Sequence, residues 1–519
     1  MLVGNDDPFA VARTVKILIE RESNTPIYLQ IRDRVKHLIQ SGAMQPGEQL
    51  PSIRSLAETI HVNKLTVIEA YGMLEADGLI QARQGSGYFV SHVSANSPNL
   101  ESTFAPAQAV VIPEQPCGTF CKLYTTLLQA RQKPGVIDFG VGYPHPPEDL
   151  ARIARRAMAD IGESLFNYDF PQGQHLLRKQ IAQILVQLGL DASPEDLIVT
   201  TGSQQGMSML LQHYVRPGDW VVVESPTYAG FLALLENAGA RVIGIPMTAE
   251  GMNLDLLEQY LQSHRPRLIY TISTLHNPTG ITTPQSHRKR LLELAEQYEC
   301  PILEDNAYEG LSFEAIPPPI KALDRNGWVT YLGTFSKTLM PGLRVGYMVT
   351  NQHNRSILKD QKLLHDLSSS TVSQAIVSEY LASGHYRRHV THLRNTYEQR
   401  RNSMLQALER YFPEEASWTV PKGGLFLWVQ LPDGLSVQPV CRDAIAQNVV
   451  VADGAIFFPG QQGYPAMRLS FLHSPEDIEH GVKVLGNLLK RSLMSDRNRS
   501  HTKAVACSMK GLPSLTATD

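Results

Sequence analysis

The sequence predicts a two-part protein, in which a small, mostly helical N-terminal unit with a β wing precedes a large α/β unit. Three observations favour this division. The 519 residues are too many for one hydrophobic core. Apolar residues recur at helical spacing between residues 27 and 74, whereas strand-like β-branched runs alternate with helical patterns from about 150 to 489. Residues 93–120 are rich in Pro, Ser and Ala, lack periodicity and are typical of a linker.

Composition and charge are those of an ordinary globular protein. Apolar residues make up 43% of the chain and charged residues 19%, with a formal net charge of -3. No apolar stretch approaches the roughly 20 residues of a membrane helix, and the N-terminus lacks a signal-peptide pattern. We therefore expect a cytoplasmic protein that does not enter a membrane. The five scattered cysteines argue against a disulfide framework, and no second ligand pair accompanies Cys117 and Cys121, so no metal site is predicted.

The predicted boundaries define the terms used below. They are an N-terminal extension (1–24), a head (25–92), the linker (93–120), a body (121–491) and a polar, patternless tail expected to be disordered (492–519).

Three helices are predicted in the head, each with one apolar stripe at helical spacing. Ser52 and Asn63 are suitable N-caps for the second and third helices. The stripes are Ile27, Ile31, Val35 and Ile39; then Ile53, Leu56, Ala57 and Ile60; then Val67, Ala70, Tyr71 and Leu74. Short β-like runs at 78–80 and 88–90 flank a Gly-rich turn and indicate a hairpin, or wing.

Two short helices joined by three or four residues are typical of a DNA-binding helix-turn-helix. Its outer face and wing must supply side chains that reach base edges and phosphates. The candidates are Arg54, Asn63, Lys64 and Thr66, with Arg83 and Gly85 in the wing. A docking or dimerisation module is the alternative, because six basic side chains in residues 26–92 are matched by six acidic ones.

In the body, polar residues follow the predicted buried strands. The segment 201–205 passes from a strand through glycine into a helix, which suits an anion. Tyr228 could stack on a flat ring, and a buried Asp305 requires a positive partner. Lys337 lies beside hydroxyl residues at a strand end, where an amine is suited to form a Schiff base, and Arg344 is a second anion binder.

Each of these features alone has an ordinary structural explanation: a solvated lysine, an aspartate cap or, for the HNPTG segment at 276–280, a turn. Together they specify one ligand, which is planar, cationic at a ring nitrogen, phosphorylated and an aldehyde. The sequence therefore predicts that the body binds pyridoxal 5'-phosphate.

The head resembles the winged helix-turn-helix of the GntR regulators over nearly its whole length. The shared residues are Pro46, Gly47, Leu50, Pro51, Ser52, Arg54, Leu56, Ala57, Thr66, Val67, Gly85, Ser86, Gly87, Phe89 and Val90. Where that family usually has a Ser-Arg pair, this chain has Asn63 and Lys64. Asn63 keeps the cap and Lys64 keeps the charge, but lysine cannot make the bidentate contacts of arginine. The operator is therefore expected to differ from those of regulators with the Ser-Arg pair.

The body resembles the class I/II aminotransferases of fold type I from about Asp138 to Leu489. The motifs are FGVGYP, NYDFPQGQHLLRKQIA, TTGSQQG, ESPTYAG, HNPTG, EDNAY, TFSKTLMPGLRVGY, GGLFLW and MRLSF. The resemblance implies that Lys337 is the Schiff-base lysine and that Asp305 pairs with the pyridinium nitrogen, which sustains the electron sink. Tyr228 would stack on the ring, and Asn277 and Tyr308 would hydrogen-bond its phenolic oxygen.

The same resemblance implies the remaining sites. The cofactor phosphate would be bound by Gly202, Ser203, Gln204, Thr334, Ser336 and Arg344. Tyr168 matches the residue that a partner subunit usually lends to the phosphate, which implies a homodimer. Arg468 would bind the α-carboxylate of an amino acid, and Gly142 would lie over the substrate.

The two units together resemble the MocR family of pyridoxal-phosphate-dependent transcriptional regulators. That resemblance implies a double-stranded DNA operator and an amino acid or amine effector, sensed as an external aldimine. The alternative is an active aminotransferase with a regulatory or vestigial DNA-binding unit, because the same constellation exchanges amino groups. A third interpretation, an enzyme with a protein-docking module, is disfavoured by the intact helix-turn-helix and wing motifs.

Overall fold

The computed structural model describes residues 26–40, 44, 47–76, 79–83, 87–90, 110–113, 120–131, 133–163 and 167–509. The chain divides into two compact units, Met1–Leu100 and Glu101–Asp519. The first contains the head and the second the body. Within the described residues, no helix combines the length and the apolar character needed to cross a membrane.

The head has the predicted order of three helices and a wing. Its elements are α1 (Ile27–Gln40), α2 (Ile53–Thr59), α3 (Lys64–Ala76), β1 (Ile80–Arg83) and β2 (Gly87–Val90). The two strands pair antiparallel, with Ile80 opposite Val90 and Arg83 opposite Gly87. A Glu75 carboxylate oxygen accepts the Ala82 backbone N–H at 2.9 Å and so connects α3 to the wing.

Both predicted N-caps of the head are confirmed. The Ser52 hydroxyl accepts the Ser55 N–H at 3.1 Å, and the Asn63 side-chain oxygen accepts the Leu65 N–H at 3.0 Å. Each cap satisfies a donor that the first helical turn leaves unpaired. The apolar stripes meet in one core, in which Ile31, Val35, Leu56, Ala57, Val67, Ala70, Tyr71 and Leu74 are buried.

The body is built from alternating strands and helices, followed by a smaller C-terminal sheet. Its first elements are α4 (Phe120–Arg131), β3 (Ile137–Asp138), α5 (Leu150–Ile161), α6 (His175–Gln187), β4 (Leu197–Thr200), α7 (Ser203–Tyr214), β5 (Trp220–Ser225), α8 (Ala229–Asn237), β6 (Arg241–Thr248), β7 (Gly251–Met252), α9 (Leu254–His264), β8 (Leu268–Thr271), α10 (Gln285–Gln297), β9 (Ile302–Asn306), α11 (Ile320–Leu323) and β10 (Val329–Thr334). Its later elements are β11 (Gly346–Val349), α12 (Gln352–Asp366), α13 (Thr371–Ala382), α14 (His385–Tyr411), β12 (Ser417–Trp418), β13 (Phe426–Gln430), α15 (Val437–Ala446), β14 (Val449–Val450), β15 (Ala452–Asp453), β16 (Ala466–Ser470) and α16 (Pro475–Met509).

The large sheet has eight strands in the order β4-β11-β10-β9-β8-β5-β6-β7. Its central strands β10, β9, β8, β5 and β6 pair in parallel, and β11 and β7 pair antiparallel with their neighbours. Val221, Val222 and Val223 are fully buried, as expected for a strand covered on both faces. Because parallel strands end at the same edge, the loops after them meet there. The predicted fold class is confirmed.

A second, antiparallel sheet has the order β12-β13-β16-β15. In it Trp428 of β13 lies opposite Arg468 of β16. A short parallel pair, β3 with β14, completes this part of the body. The small sheet therefore positions Arg468. In the sequence, this residue comes more than a hundred positions after the large-sheet strands that carry the other predicted site residues.

Two boundaries differ from the sequence-based expectation. Val111, in the predicted linker, exchanges backbone hydrogen bonds of 2.9 and 2.8 Å with Gly244 of β6, so residues 110–113 belong to the body. Helix α16 runs from Pro475 to Met509, past residue 492, where we expected a disordered tail to begin. The N-terminal extension, most of the linker and the end of the tail lie outside the described residues.

Candidate functional site

A cavity of about 450 Å³ lies in the body where the parallel strands end. Of the residues predicted for the cofactor and effector, all except Gly202 and Tyr168 line it. The predicted residues that line the cavity are Gly142, Ser203, Gln204, Tyr228, Asn277, Asp305, Tyr308, Thr334, Ser336, Lys337, Arg344 and Arg468. The structure therefore brings together side chains that are up to 326 positions apart in the sequence, as the interval from 142 to 468 shows.

Lys337 follows β10 and directs its amine into the cavity. The Nζ atom donates a hydrogen bond to the carbonyl oxygen of Gly142 at 3.0 Å. Burial, assisted by the positive charges of Arg468 and Arg344, lowers the pKa of this amine from 10.5 to about 8. A larger fraction of Lys337 is therefore neutral, and nucleophilic, at neutral pH than is usual for lysine.

Asp305 lies at the end of β9 and is almost fully buried. Its Oδ2 atom accepts a hydrogen bond from the Tyr270 hydroxyl at 2.8 Å, whereas Oδ1 has no partner among the described residues. Burial raises the pKa of this carboxyl from 3.8 to about 6. A buried carboxylate oxygen without a donor is unfavourable, and a protonated ring nitrogen would supply the missing proton and charge. This atom therefore fits the pyridinium end of pyridoxal phosphate.

The start of α7 forms the anion-binding end of the cavity. Gly202, the residue before the helix, has a φ of 74°. A Cβ at this position would lie 2.5 Å from Nη2 of Arg344, so only glycine lets the guanidinium approach the helix terminus. Nη2 of Arg344 also donates to the carbonyl oxygen of Thr201 at 3.3 Å. Unpaired N–H groups of the first turn and an adjacent guanidinium suit a phosphate group.

Two hydroxyl groups border the same end of the cavity. The Thr334 hydroxyl donates to the Ser336 hydroxyl oxygen at 3.0 Å and accepts the backbone N–H of Ser336 at 3.2 Å. Both residues are buried; Thr334 is the last residue of β10, and Ser336 lies two positions after it. The pair adds hydroxyl groups to the backbone donors of α7 at the predicted phosphate position.

Arg468 lies at the other end and is 8% exposed. Its Nη1 atom donates to the side-chain oxygen of Asn277 at 2.8 Å, and Nη2 donates to the carbonyl oxygen of Gly140 at 2.5 Å. The guanidinium carbon is 3.8 Å from the ring centroid of Phe426 and 4.6 Å from that of Phe457. Burial lowers the pKa of Arg468 to about 10, so the group stays cationic at neutral pH. Such an arrangement suits the carboxylate of an incoming ligand.

Gly142 lines the cavity beside Lys337, whose amine donates to its carbonyl oxygen. A Cβ added there would be 2.6 Å from Cζ of Phe426. A larger residue would therefore displace Phe426 from Arg468 and fill the space beside Lys337. Glycine at this position keeps both the cavity and the Phe426 contact.

A buried polar network supports the loop that carries Asn277. The His276 ring is 3.1 Å from Oε2 of Glu224, and its other nitrogen is 2.8 Å from the Thr279 hydroxyl. Glu224 also accepts a hydrogen bond of 2.5 Å from Thr271. All four side chains are buried. The network fixes the backbone before and after Asn277 and so orients its amide toward Arg468.

Several residues of the site were missed by sequence reasoning. They are Tyr124, Gly140, Val141, Tyr143, Met207, Ala229, Ile272, Ala307, Pro341, Phe426, Ile456 and Phe457 in the cavity lining, together with Tyr270 beneath Asp305. Most are apolar and have the spacing of ordinary core residues. Only Tyr270 carried a usable signal, because a tyrosine in a buried strand requires a partner for its hydroxyl.

Tyr168 and Gly202 are the predicted residues that do not line the cavity. Gly202 contacts Arg344, which does line it. Tyr168 is 85% exposed, and the nearby Phe170 is 75% exposed. The structure therefore places Tyr168 on the surface of its own chain.

In the head, the predicted DNA-contacting residues have different surroundings. Arg54 is exposed, and its Nε atom is 2.9 Å from an oxygen of the exposed Glu58. Lys64 is exposed at the start of α3, and Thr66 is half-buried. The guanidinium of Arg83 lies 4.5 Å from the ring centroid of Phe89, on the facing strand of the wing. Gly85 lies outside the described residues.

Two family models match the chain. The aminotransferase class I and II model matches residues 134–485, and the bacterial regulatory proteins, gntR family, model matches residues 27–90. The HTH-type transcriptional regulator YdfD of Bacillus subtilis (strain 168) is 30% identical, and the match covers 90% of this chain and 96% of the relative. Aromatic-amino-acid aminotransferase 1 of Thermococcus litoralis is 36% identical over 71% of this chain and 91% of that enzyme.

Solved aminotransferase structures resemble the body. The multiple substrate aminotransferase of Thermococcus profundus is 33% identical, with a TM-score of 0.68 over 72% of this chain and 95% of its own. LysN, the α-aminoadipate aminotransferase of Thermus thermophilus, is 34% identical, with a TM-score of 0.67 over 73% and 98%. LysN was solved in complex with N-(5'-phosphopyridoxyl)-L-leucine. Of these relatives, the regulator spans both units, and the aminotransferases match about the extent of the body.

Asp305 is a buried carboxylate with one oxygen that lacks a donor among the described residues, so we predict that it makes the protein less stable as the pH rises. Because its pKa is raised from 3.8 to about 6, ionisation lowers native stability as the pH rises through that interval, and the loss is complete above it. Asp305→Asn should therefore stabilise the cofactor-free protein by roughly 1 to 3 kcal/mol at about pH 7.5, and by little at about pH 4. Urea unfolding at several pH values measures this difference.

Asp324→Asn is the matched control with the opposite sign. Although burial opposes it, the nearby Lys321 ammonium and several backbone N–H donors hold the pKa of Asp324 below its ordinary value. Its neutralisation should destabilise the protein at about pH 7.5. Equal effects of Asp305→Asn at both pH values would show that the Asp305 carboxylate is not desolvated.

Proposed function

This chain belongs to the aminotransferase class I and II family and, with its GntR-type head, to the MocR-like transcriptional regulators; from this membership we propose how it works. The family is dependent on pyridoxal phosphate, and a GntR-type head implies DNA binding. We propose that the cavity binds pyridoxal 5'-phosphate and that an amino acid or amine, by reacting there, changes the affinity of the head for its operator.

One observation carries the cofactor assignment: a single cavity combines an amine, an unpaired buried carboxylate oxygen and an anion-binding helix terminus. Lys337 provides the amine, Asp305 the oxygen and α7 the terminus. Their chemistry matches three groups of one molecule, namely an aldehyde, a ring nitrogen and a phosphate. Bound pyridoxal phosphate supplies an aldehyde that reacts reversibly with amines and a ring that withdraws electrons.

The protein's own groups then have separate tasks. Asp305 Oδ1 holds a proton on the ring nitrogen, because that oxygen has no other donor among the described residues. Lys337, with its lowered pKa, exchanges protons near neutral pH. Arg468 binds the carboxylate of an amino acid effector, and Tyr228 stacks on the ring.

Regulation requires that the effector stabilise one state of the protein relative to another. An effector that bound both the DNA-competent and the DNA-incompetent state equally would change nothing, however tightly it bound. The effector must therefore form contacts in the cavity that differ between the two states. We propose that Arg468 and Lys337 make those contacts.

We also propose that the protein is a homodimer in which Tyr168 reaches the cofactor phosphate of the partner subunit. The support is its position, since the tyrosine is 85% exposed on its own chain and does not line its own cavity. The neighbouring Phe170 is exposed as well, which favours burial of this segment against a second copy.

Lys337→Ala should abolish covalent cofactor binding. Without the amine, added pyridoxal 5'-phosphate should no longer give the visible absorption band of the protein-bound imine, and borohydride should no longer attach it to the chain. Peptide mapping after borohydride reduction of the wild type should place the label on Lys337. Lys422→Ala, which removes an exposed amine paired with Glu314, is the control and should retain the band. A band that persists in Lys337→Ala would assign the wrong lysine.

Lys64→Ala should weaken binding to operator DNA about equally for all sequences and reduce the slope of log K against log salt by about one, because one phosphate contact is lost. Fluorescence anisotropy over a salt series measures both effects, and Arg54→Ala should behave in the same way. Lys289→Ala removes one positive charge from α10 of the body and should change neither. Unchanged affinity in both head variants would show that α3 and α2 do not face the DNA.

An active aminotransferase is the second candidate. It is favoured by the 36% identity to an aromatic-amino-acid aminotransferase and by Lys337, Asp305 and Arg468 lining one cavity. A sensor that holds the amino acid as an imine should release little keto acid, whereas an enzyme that alternates between two half-reactions would continue for many cycles when a second keto acid is added. Keto acid formation by the cofactor-loaded protein, followed over many site equivalents, distinguishes them. Sustained transamination would favour the enzyme.

A further inference from the structure

The outward face of α3 carries apolar side chains at its N-terminal end. Leu65 is 69% exposed and Ile68 is 45% exposed. The two residues are three positions apart and therefore share one face of the helix. Gly72, one further turn along, has no atom within 4 Å of the position of an added Cβ. These three residues lie on the side of α3 that faces away from the core of the head, where the exposed Lys64 and Glu69 are their charged neighbours.

The polar residues of the head that were predicted to contact DNA are less free to do so than the sequence suggested. The side-chain oxygen of Asn63 is occupied as the N-cap of α3, and Thr66 is half-buried. Arg54 lies within an ion pair with Glu58. Of the groups that α3 exposes near its N-terminus, Leu65 and Ile68 therefore present the largest apolar area.

Exposing these side chains to water is unfavourable, since burial of each methyl or methylene group is favourable by about 0.8 kcal/mol. In a helix-turn-helix, the N-terminal residues of the second helix contact base edges in the major groove. The apolar group on those edges is the C5-methyl of thymine. The exposed apolar side chains and the groove are thus complementary at one specific chemical group.

We propose that Leu65 and Ile68 contact thymine C5-methyl groups and so select operators with thymine at fixed positions of each half-site. This inference rests on the proposed DNA-binding function and adds a source of specificity to it. Lys64 supplies affinity through phosphate, whereas the apolar pair distinguishes thymine from the other bases.

Deoxyuridine substitution tests the contact directly. The full-length, cofactor-loaded protein is first used to select a high-affinity duplex from a random library. Each thymine of that duplex is then replaced singly by deoxyuridine, which pairs in the same way and lacks only the methyl group. At one or two positions per half-site the wild type should bind about fourfold more weakly, as expected for one buried methyl group.

Three variants assign the effect to residues. Leu65→Ala and Ile68→Ala should each equalise the affinities for the thymine and deoxyuridine duplexes at one position. Lys64→Ala should weaken both duplexes and leave their ratio unchanged. Since Leu65 and Ile68 are exposed, thermal unfolding of their variants should match the wild type.

Two results would overturn the inference while leaving DNA binding intact. One is equal affinity for thymine and deoxyuridine duplexes at every position. The other is a deoxyuridine effect that persists undiminished in both alanine variants. Failure to select any duplex would instead remove the proposed DNA-binding function, and the inference with it.

Discussion

The body depends on a buried carboxylate that the protein itself satisfies only in part. Asp305 is the penultimate residue of the fully buried strand β9, and Tyr270 donates a hydrogen bond to one of its oxygens. The second oxygen has no partner among the described residues. An ionised oxygen in this position is unfavourable, and a cationic ligand would relieve that cost. The Lys337 amine, the start of α7 and the Arg468 guanidinium line the same cavity as Asp305.

The parallel sheet brings residues that are far apart in the sequence close together in space. Lys337, Asn277 and Tyr228 follow β10, β8 and β5, and Asp305 lies near the end of β9. These four strands are neighbours with a common direction. Strand ends could therefore be predicted to meet once the strands were recognised from their β-branched runs. Arg468 could not be placed in this way, because it comes from a separate antiparallel sheet. For that residue, sequence reasoning depended on a motif.

What remained unpredicted has a common physical origin. Phe426 lies over Arg468 because β13 and β16 pair in one register, and neither strand specifies its partner by itself. The exposed Leu65 is nine positions from the buried Leu74 and so lies on the opposite side of α3, where the periodicity that identified the inner face gave it no role. Similarly, α16 continues past residue 492. Local patterns specify elements, whereas contacts between distant segments specify surfaces and boundaries.

The hydrogen bond from the Ala82 N–H to the Glu75 carboxylate has a mechanical consequence. It connects the first strand of the wing to the last turns of α3, so the helix and the hairpin are joined directly within the head. A tilt imposed on either element is transmitted to the other. The two elements to which DNA contacts are assigned would therefore move together.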